Sequence, residues 1–314
     1  MKQYKRRRAM RTLWLCIAVL AVCAAGVLGL LLWKTPAARD EVIPGPRGDI
    51  YATVQMPGKL SRGSEMPLVV LCHGFTGNRD GDGHFGPLAE DLAGQGIASV
   101  RLDFAGCGES TEPYTAYTLD NMAADVNAAI TYMQETYGTD GPTALVGHSM
   151  GGRLASLYPQ ISAQQDYKQV EALVLWSPAN GTGLLGLEFL NIEDLSQVEA
   201  IAAAALASGQ TATKWGVEIS AEFVQGMQNS DPNAALREAG LPVLLTYSGN
   251  ETVLSETTIS ETVAAVQSLP DSAVVLDPFV QGDHNYTSTD PAVNKQLDAD
   301  LRQTTVDFLY NVLR

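Results

Sequence analysis

Short, mostly apolar runs recur along the chain, and each is bounded by glycine, proline or polar residues. A run of this length predicts a buried β-strand, because both faces of such a segment must be covered by the rest of the molecule. Strands are predicted over residues 50–56, 67–72, 142–146, 241–247 and 273–279.

Between these runs, apolar residues recur at the three- and four-residue spacing of amphipathic helices. The clearest helix covers residues 119–137, with Thr118 as its N-cap, and a second covers residues 85–95. Strands that alternate with helices predict an α/β fold, in which helices cover both faces of a mostly parallel sheet. The alternation breaks over residues 180–240, which predicts an insertion between two core strands.

The N-terminus follows a different pattern. Residues 13–33 carry no charge and are long enough to cross the hydrocarbon core of a membrane. Residues 1–12 carry six basic side chains and no acid, so the positive-inside rule predicts a cytoplasmic tail and a single-pass anchor in the cell membrane. The alternatives are a cleaved signal peptide and, at residues 20–23, a lipoprotein processing site. A linker at 34–46 would then lead to an extracytoplasmic domain over residues 47–314.

The net charge of −15 conceals an asymmetry. Residues 1–12 hold six of the 20 basic residues and none of the 35 acidic ones. The rest of the chain therefore has 14 basic and 35 acidic residues, a net charge of −21. Such an acidic domain is not expected to bind nucleic acid or anionic membrane surfaces by charge.

Cys72 and Cys107 are predicted to be buried free thiols, with one disulfide as the alternative. No Cys/His spacing predicts zinc, and residues 80–83 resemble only the start of a calcium loop, so no metal or cofactor is predicted.

The strongest chemical signal is the segment 147–152, Gly-His-Ser-Met-Gly-Gly, between a predicted strand and a predicted helix. In this context Gly-x-Ser-x-Gly predicts a nucleophile elbow, a strained turn that raises the hydroxyl of Ser149 above the sheet. Side chains at Gly147 and Gly151 would collide with the neighbouring strand and helix. Ser149 is therefore the predicted nucleophile.

A second signal is the segment 73–77, His-Gly-Phe-Thr-Gly, which directly follows the predicted strand 67–72. The loop at this place in a hydrolase sheet supplies one amide of the oxyanion hole, and the residue after the nucleophile supplies the other. The predicted donors are the backbone N–H groups of Phe75 and Met150.

Together with residues 96–104, 106–110 and 176–179, these segments resemble the feruloyl/cinnamoyl-esterase branch of the α/β-hydrolases. The resemblance covers nearly everything after residue 46. Its motifs are specific for the superfamily. They only suggest the branch, because monoacylglycerol lipases and small acyl-peptide hydrolases have similar motifs.

This resemblance implies a cofactor-free hydrolase that acts on small or aromatic acyl esters. It also implies that the insertion at 180–240 is a lid over the active site. Trp215 and Phe223 within the insertion would line the acyl pocket.

The predicted general base is His284, which is one of four histidines. His73 belongs to the oxyanion loop, His84 opens a helix long before the nucleophile, and His148 lies inside the elbow with its side chain expected to point away from Ser149. His284 follows the last predicted strand, where the order serine, acid, histidine of this fold requires the base.

The predicted triad acid is Glu251, in the loop after the strand 241–247. The family pattern has an aspartate here, and Glu251 stands one residue closer to the preceding glycine than that aspartate. Glutamate is an accepted triad acid, and its extra methylene group can span the shortened loop. Asp277 and Asp283 remain alternatives.

The hypothesis from the sequence is a serine ester hydrolase that works through an acyl-enzyme. Monoacylglycerol lipase, acyltransferase and short-peptide hydrolase activities are alternatives within the same chemistry. The missing aspartate keeps open a further alternative, a catalytically weak binding protein on the same scaffold.

Overall fold

The computed structural model describes residues 37–58 and 65–314. Its strands are β1 (Arg39–Pro44), β2 (Asp49–Gln55), β3 (Leu68–Cys72), β4 (Ala98–Leu102), β5 (Thr143–His148), β6 (Ala172–Trp176), β7 (Gln210–Ala212), β8 (Glu218–Ser220), β9 (Val243–Thr246) and β10 (Ala273–Val275). All but β7 and β8 form one sheet, in the order β1-β2-β4-β3-β5-β6-β9-β10. The pairs β1–β2 and β2–β4 are antiparallel, and the other pairs are parallel. The predicted α/β class with a mostly parallel sheet is confirmed.

The helices are α1 (Phe85–Gly94), α2 (Leu119–Tyr137), α3 (Met150–Gln165), α4 (Leu195–Ser208), α5 (Ala221–Asn229), α6 (Pro232–Ala239), α7 (Glu256–Gln267) and α8 (Pro291–Val312). Helix α2 has the predicted bounds, and the hydroxyl of Thr118 accepts a hydrogen bond from the N–H of Asn121 at 3.2 Å, as an N-cap does. Helix α1 ends one residue before its prediction.

Both faces of the sheet are buried, which explains why its strands are apolar along their whole length. In β3, Leu68 and Val70 point into the core shared with α2 and α3, whereas Val69 and Leu71 point into the core shared with α1 and α8. All four side chains are fully buried. Alternating residues of a single strand therefore hold helices on opposite faces of the sheet.

Two predicted boundaries are wrong. Residues 39–44, placed in the linker 34–46, form the edge strand β1, so the folded domain begins before residue 47. The strand predicted over 273–279 ends at Val275, because a 3-10 turn containing Pro278 follows at Asp277–Phe279. Cys72 and Cys107 are buried free thiols, as predicted.

The predicted tail and anchor, residues 1–33, lie outside the described residues, as do residues 34–36. In residues 37–58 and 65–314, no helix combines the length and apolar character needed to cross a membrane.

The predicted insertion lies between β6 and β9. It contains a 3-10 segment (Gly183–Leu190), α4, the hairpin β7–β8, α5 and α6. Helix α6 packs against α3 and α7 and so belongs to the helical layer of the core. The remainder reaches over the carboxyl ends of the parallel strands, since Phe189 and Trp215 line the cavity above Ser149. Its action as a lid stays a prediction.

Candidate active site

Ser149 occupies a strained turn between β5 and α3, with φ of 53° and ψ of −112°. Its N–H donates to the carbonyl of Trp176 at 2.9 Å, and its carbonyl accepts from the N–H groups of Arg153 and Ala179 at 3.0 Å. A Cβ on Gly147 would overlap the carbonyl of Gly151, and a Cβ on Gly151 would overlap that of Cys72 at the end of β3. The steric argument for the two glycines is therefore confirmed: backbone passes too close for any side chain.

Ser149, His284 and Glu251 meet at the carboxyl ends of the parallel strands. The Nε2 of His284 lies 2.9 Å from the Oγ of Ser149, and its Nδ1 lies 2.7 Å from the Oε2 of Glu251. The three residues follow β5, β10 and β9 respectively. All three are largely buried. A continuous line of contacts thus joins a hydroxyl, an imidazole and a carboxylate.

The carboxylate of Glu251 is fixed by its own loop. Its Oε1 accepts from the N–H groups of Val253 and Leu254 at 2.8 and 3.3 Å, which leaves Oε2 for His284. The alternative Asp283 accepts from the N–H groups of Asn285 and Thr287 and from the Thr287 hydroxyl, so it closes its own turn. The other alternative, Asp277, is exposed in the 3-10 turn after β10. Among these three acids, Glu251 is the one in contact with the histidine.

The loop that carries His284 is tied to the sheet at two further points. The hydroxyl of Tyr286 lies 2.7 Å from the Oγ1 of Thr246 and accepts from the Oγ of Ser177 at 3.1 Å. The Nε2 of His148 lies 3.0 Å from the carbonyl of His284. Burial, together with the nearby His284, lowers the pKa of His148 to about 3, so this imidazole is neutral and its Nε2–H donates the bond.

The position of His148 differs from its prediction. Its ring lines the same cavity as Ser149 and packs against His284, with the two ring centroids 5.2 Å apart. The ring therefore lies in the cavity beside His284, whereas the sequence analysis expected it to point away from Ser149.

Two backbone N–H groups beside Ser149 are free. Among the described residues, none accepts a hydrogen bond from the N–H of Phe75 or of Met150. Met150 opens α3, where the amides of a helix have no partner within the helix. The Phe75 loop approaches closely, since a Cβ on Gly74 would lie 3.1 Å from the Cβ of Ser149. These two amides suit the predicted oxyanion hole.

Tyr114, which lies outside the loop that carries Phe75, anchors that loop. The N–H of Thr76, a residue with φ of 61°, donates to the hydroxyl of Tyr114 at 3.0 Å. The ring of Tyr114 also meets the ring of Phe75 edge-on, with centroids 5.3 Å apart. Tyr114 thus holds both the backbone and the side chain of this loop.

The cavity above Ser149 measures about 280 Å³ and has two chemically different sides. One side is an aromatic wall, defined here as Phe75, Phe189 and Trp215. The ring centroid of Phe75 lies 5.0 Å from that of Phe189 and 5.6 Å from that of Trp215. Lys214 sits at the rim, with its Nζ 4.6 Å from the centre of the Trp215 ring.

Of the two predicted pocket residues, Trp215 lines the cavity and Phe223 does not. Phe223 is 1% exposed and packs behind Phe75, with ring centroids 5.8 Å apart. Its place in the wall is taken by Phe189, which the sequence analysis missed. No local pattern distinguishes the two, because both are aromatic residues in apolar stretches of the insertion.

The polar side of the cavity is defined here as Asp82, His148, His284 and Asn285. The Oδ2 of Asp82 lies 3.8 Å from the Nδ1 of His148.

Within the described residues, no group of three or more histidine, cysteine or acidic side chains could hold a metal ion. Residues 81–83 of the segment resembling a calcium loop form a 3-10 turn.

The chain is similar to known hydrolases in sequence and in fold. Residues 67–194 match the family model for the alpha/beta hydrolase fold. Protein phosphatase methylesterase 1 from Schizosaccharomyces pombe is 26% identical over 162 residues, which are 50% of this chain and 46% of that relative. The chain thus spans less than half the length of this curated relative.

Solved structures match over a larger part of the chain. Est1E from Butyrivibrio proteoclasticus, with ferulic acid bound, superposes with a TM-score of 0.64 at 20% identity, covering 86% of this chain and 99% of Est1E. The esterase domain of a Rhodothermus marinus protein gives a TM-score of 0.61 at 15% identity, covering 89% and 100%. The chain therefore has the α/β-hydrolase fold, and residues 67–194 match the family model for it.

A buried arginine links the insertion to the strained turn at Ser149. Arg153 lies four residues after Ser149 and is fully buried. Its guanidinium donates to the carbonyls of Ala179 and Gly181 at 2.7 Å, and to the carbonyl of Met227 and the hydroxyl of Ser230 at 2.8 Å. Burial lowers its pKa to about 9. Because these partners lie at the start of the insertion and at the end of α5, one side chain fixes both segments to α3.

Proposed function

We propose that this protein is a member of the α/β-hydrolases and a serine ester hydrolase that acts on small or aromatic acyl esters through an acyl-enzyme. The observation that carries the proposal is the contact of Ser149 Oγ with His284 Nε2, backed by Glu251 at Nδ1 and flanked by the free amides of Phe75 and Met150. A nucleophile, a base, an acid that orients the base and two oxyanion donors are the complete set for acyl transfer.

The reaction takes place in two halves. The Oγ of Ser149 attacks the ester carbonyl while the Nε2 of His284 accepts its proton, and the amides of Phe75 and Met150 bind the oxyanion that forms. The intermediate then breaks its bond to the alcohol, and His284 returns the proton to the leaving oxygen. Water repeats the sequence on the acyl-enzyme, which releases the acid and restores the hydroxyl of Ser149. Glu251 stabilises the imidazolium in both halves.

The acyl group is proposed to lie against the aromatic wall. Flat rings such as those of Phe189 and Trp215 favour an aromatic or a short apolar acyl group by edge-on and offset contacts. The ferulic acid bound to Est1E is consistent with an aromatic acid in this fold. A cavity of about 280 Å³, just below the usual size range of ligand sites, suits a small ester.

The location of the enzyme is a separate part of the proposal and rests on the sequence alone. We propose that residues 13–33 anchor the chain in the cell membrane, with residues 1–12 in the cytoplasm and the hydrolase domain outside.

The proposed activity is tested with a panel of nitrophenyl, feruloyl and glyceryl esters and a short peptide, on the wild type and on Ser149→Ala. We expect hydrolysis of nitrophenyl acetate and of an aromatic acyl ester, which Ser149→Ala abolishes. Preference for a long-chain glyceride or for the peptide would favour one of the alternative activities. Binding without turnover of any substrate would contradict an enzymatic role.

A further inference from the structure

The segment 80–83, Asp-Gly-Asp-Gly, makes a turn that brings an acid into the cavity. Gly81, Asp82 and Gly83 have successive φ values of 52°, 54° and 91°. Hydrogen bonds from the N–H of Gly83 to the carbonyl of Asp80 and from the N–H of His84 to that of Gly81, both 3.0 Å, close the turn. A positive φ is unfavourable for a residue with a side chain, and such strain is often found at functional positions.

Among the described residues, the carboxylate of Asp82 lies beside histidines rather than beside a lysine or an arginine. Its Oδ2 lies 3.8 Å from the Nδ1 of His148, an imidazole that is neutral because its pKa lies at about 3, and His84, His284 and Asp283 are also near. No lysine or arginine of the described residues forms an ion pair with Asp82. Its side chain is 45% exposed to the cavity and to solvent. Its negative charge is therefore available to a bound molecule.

Asp82 lies on the side where the alcohol of an ester must leave. The leaving oxygen takes its proton from the Nε2 of His284, so the alcohol is next to this imidazole when the bond breaks. His148 contacts both the His284 loop and Asp82, which places Asp82 beside the same part of the cavity. The aromatic wall and Lys214 belong to the other side.

We propose that Asp82 selects the alcohol part of the substrate by charge, favouring esters of cationic alcohols and rejecting esters of anionic ones. This inference rests on the proposed ester hydrolase function and adds a substrate class to it. A single charge at about 6–8 Å, partly screened by water, is expected to change kcat/KM for a charged leaving group by about three- to tenfold.

The test compares three acetates of matched shape: 3-(trimethylammonio)phenyl acetate, its uncharged isostere 3-tert-butylphenyl acetate, and 3-sulfophenyl acetate. The quantity measured is kcat/KM of each charged ester divided by that of the uncharged ester. Differences in intrinsic reactivity cancel when this ratio is compared between variants. In Asp82→Asn the cationic ratio should fall by about three- to tenfold and the anionic ratio should rise by a similar factor. Asparagine tolerates a positive φ, so the turn is preserved.

Asp80→Asn is the matched control, because it removes the same charge two residues away. Asp80 is 70% exposed, pairs with Arg101 and does not line the cavity above Ser149. Both ratios should stay within about twofold of the wild type in this variant. If Asp80→Asn changed the ratios as much as Asp82→Asn, the selectivity would come from the overall charge of the protein, and the proposal would be overturned.

Asp82→Gly is a second variant that also accepts the backbone conformation, and it should reproduce the change of Asp82→Asn. Unchanged ratios in both Asp82 variants, with the uncharged ester still hydrolysed, would overturn the role of Asp82 and leave the ester hydrolase intact. Absence of Ser149-dependent hydrolysis of all three acetates would overturn the proposed function, and this inference with it.

Discussion

The two sides of the cavity are built in different ways. Next to the polar side, the proposed reactive groups Ser149, His284 and Glu251 lie in segments that follow strands of the central sheet. His284 and Glu251 are each held by at least two hydrogen bonds. In the aromatic wall, Phe189 and Trp215 come from the insertion, and Trp215 is 41% exposed and held by ring contacts.

This difference reflects what each side has to do. Proton transfer and attack on a carbonyl require atoms placed to within a fraction of an ångström, so their side chains must be fixed before substrate binds. An apolar wall needs area and approximate shape, which several arrangements of aromatic rings supply. Substitutions of Ser149, His284 or Glu251 should therefore reduce the rate for every ester, whereas substitutions in the wall should act on some acyl groups and not on others.

The largest expected effect is that of Ser149→Ala. Loss of the nucleophilic oxygen should lower kcat by at least about 10⁴-fold for every ester, because the histidine and the acid have no role without it. The measurement is kcat for an acetyl and an aromatic acyl ester, with thermal melting to establish that the variant is folded. Retention of more than a few per cent of the activity would place the nucleophile at another residue.

The next effect in size is that of Glu251→Gln, which keeps the shape of the side chain and removes its charge. We expect kcat/KM to fall by at least about 10², equally for both kinds of ester, because the imidazolium loses its counter-charge and the ring its preferred tautomer. Asp283→Asn and Asp277→Asn are the matched controls and should each cost less than about tenfold. If kcat/KM fell by at least about 10² in either aspartate variant and stayed unchanged in Glu251→Gln, the acid would be misassigned.

A smaller and substrate-dependent effect is expected from Trp215→Ala. Removal of one ring of the wall should lower kcat/KM for an aromatic acyl ester by roughly three- to tenfold relative to an acetyl ester. Leu206→Ala, at an exposed apolar position of the same insertion, is the control and should leave that ratio unchanged. An equal loss for both esters in Trp215→Ala would mean that the wall helps to position the reactive groups, and the contrast between the two sides would fail.

The smallest effect is expected from removal of residues 1–34. Both sides of the cavity are formed by residues that follow this segment, so kcat/KM should change by less than about twofold and the product should be soluble. The measurements are size-exclusion chromatography and the esterase rate, beside the full-length protein in detergent. Insoluble or inactive product would show that the N-terminal segment contributes to the folded domain.

The same contrast explains what the sequence could predict. The predicted elbow and oxyanion loop are marked by local patterns next to apolar strands. The predicted base was found by elimination among the four histidines and by the order of the elements. For the acid, the sequence left Glu251, Asp277 and Asp283 open, since the length of a side chain and the path of a loop decide which carboxylate reaches the histidine.

Features that depend on tertiary packing were missed or misplaced. Strand β1 was placed in a linker because residues 34–46 are rich in proline, glycine, alanine and charged residues, and the strand is stabilised by pairing with β2 at the edge of the sheet. Phe223 was placed in the pocket and Phe189 was missed, because only the folded insertion determines which ring faces the cavity. Asp82 was noticed as part of a weak metal motif, and its position in the cavity depends on a turn with three positive φ values.

The most direct test of the account is to map the residue that a fluorophosphonate probe labels. Trypsin should release Ser149 in the peptide 102–153, which also contains Ser110, so fragmentation spectra are needed to assign the modified residue. The account predicts a single phosphonylated residue, Ser149, with labelling slowed strongly in Glu251→Gln and unchanged in Asp283→Asn. Labelling of another residue, or labelling of Ser149 at the same rate in all three proteins, would contradict the proposed relay from Ser149 through His284 to Glu251.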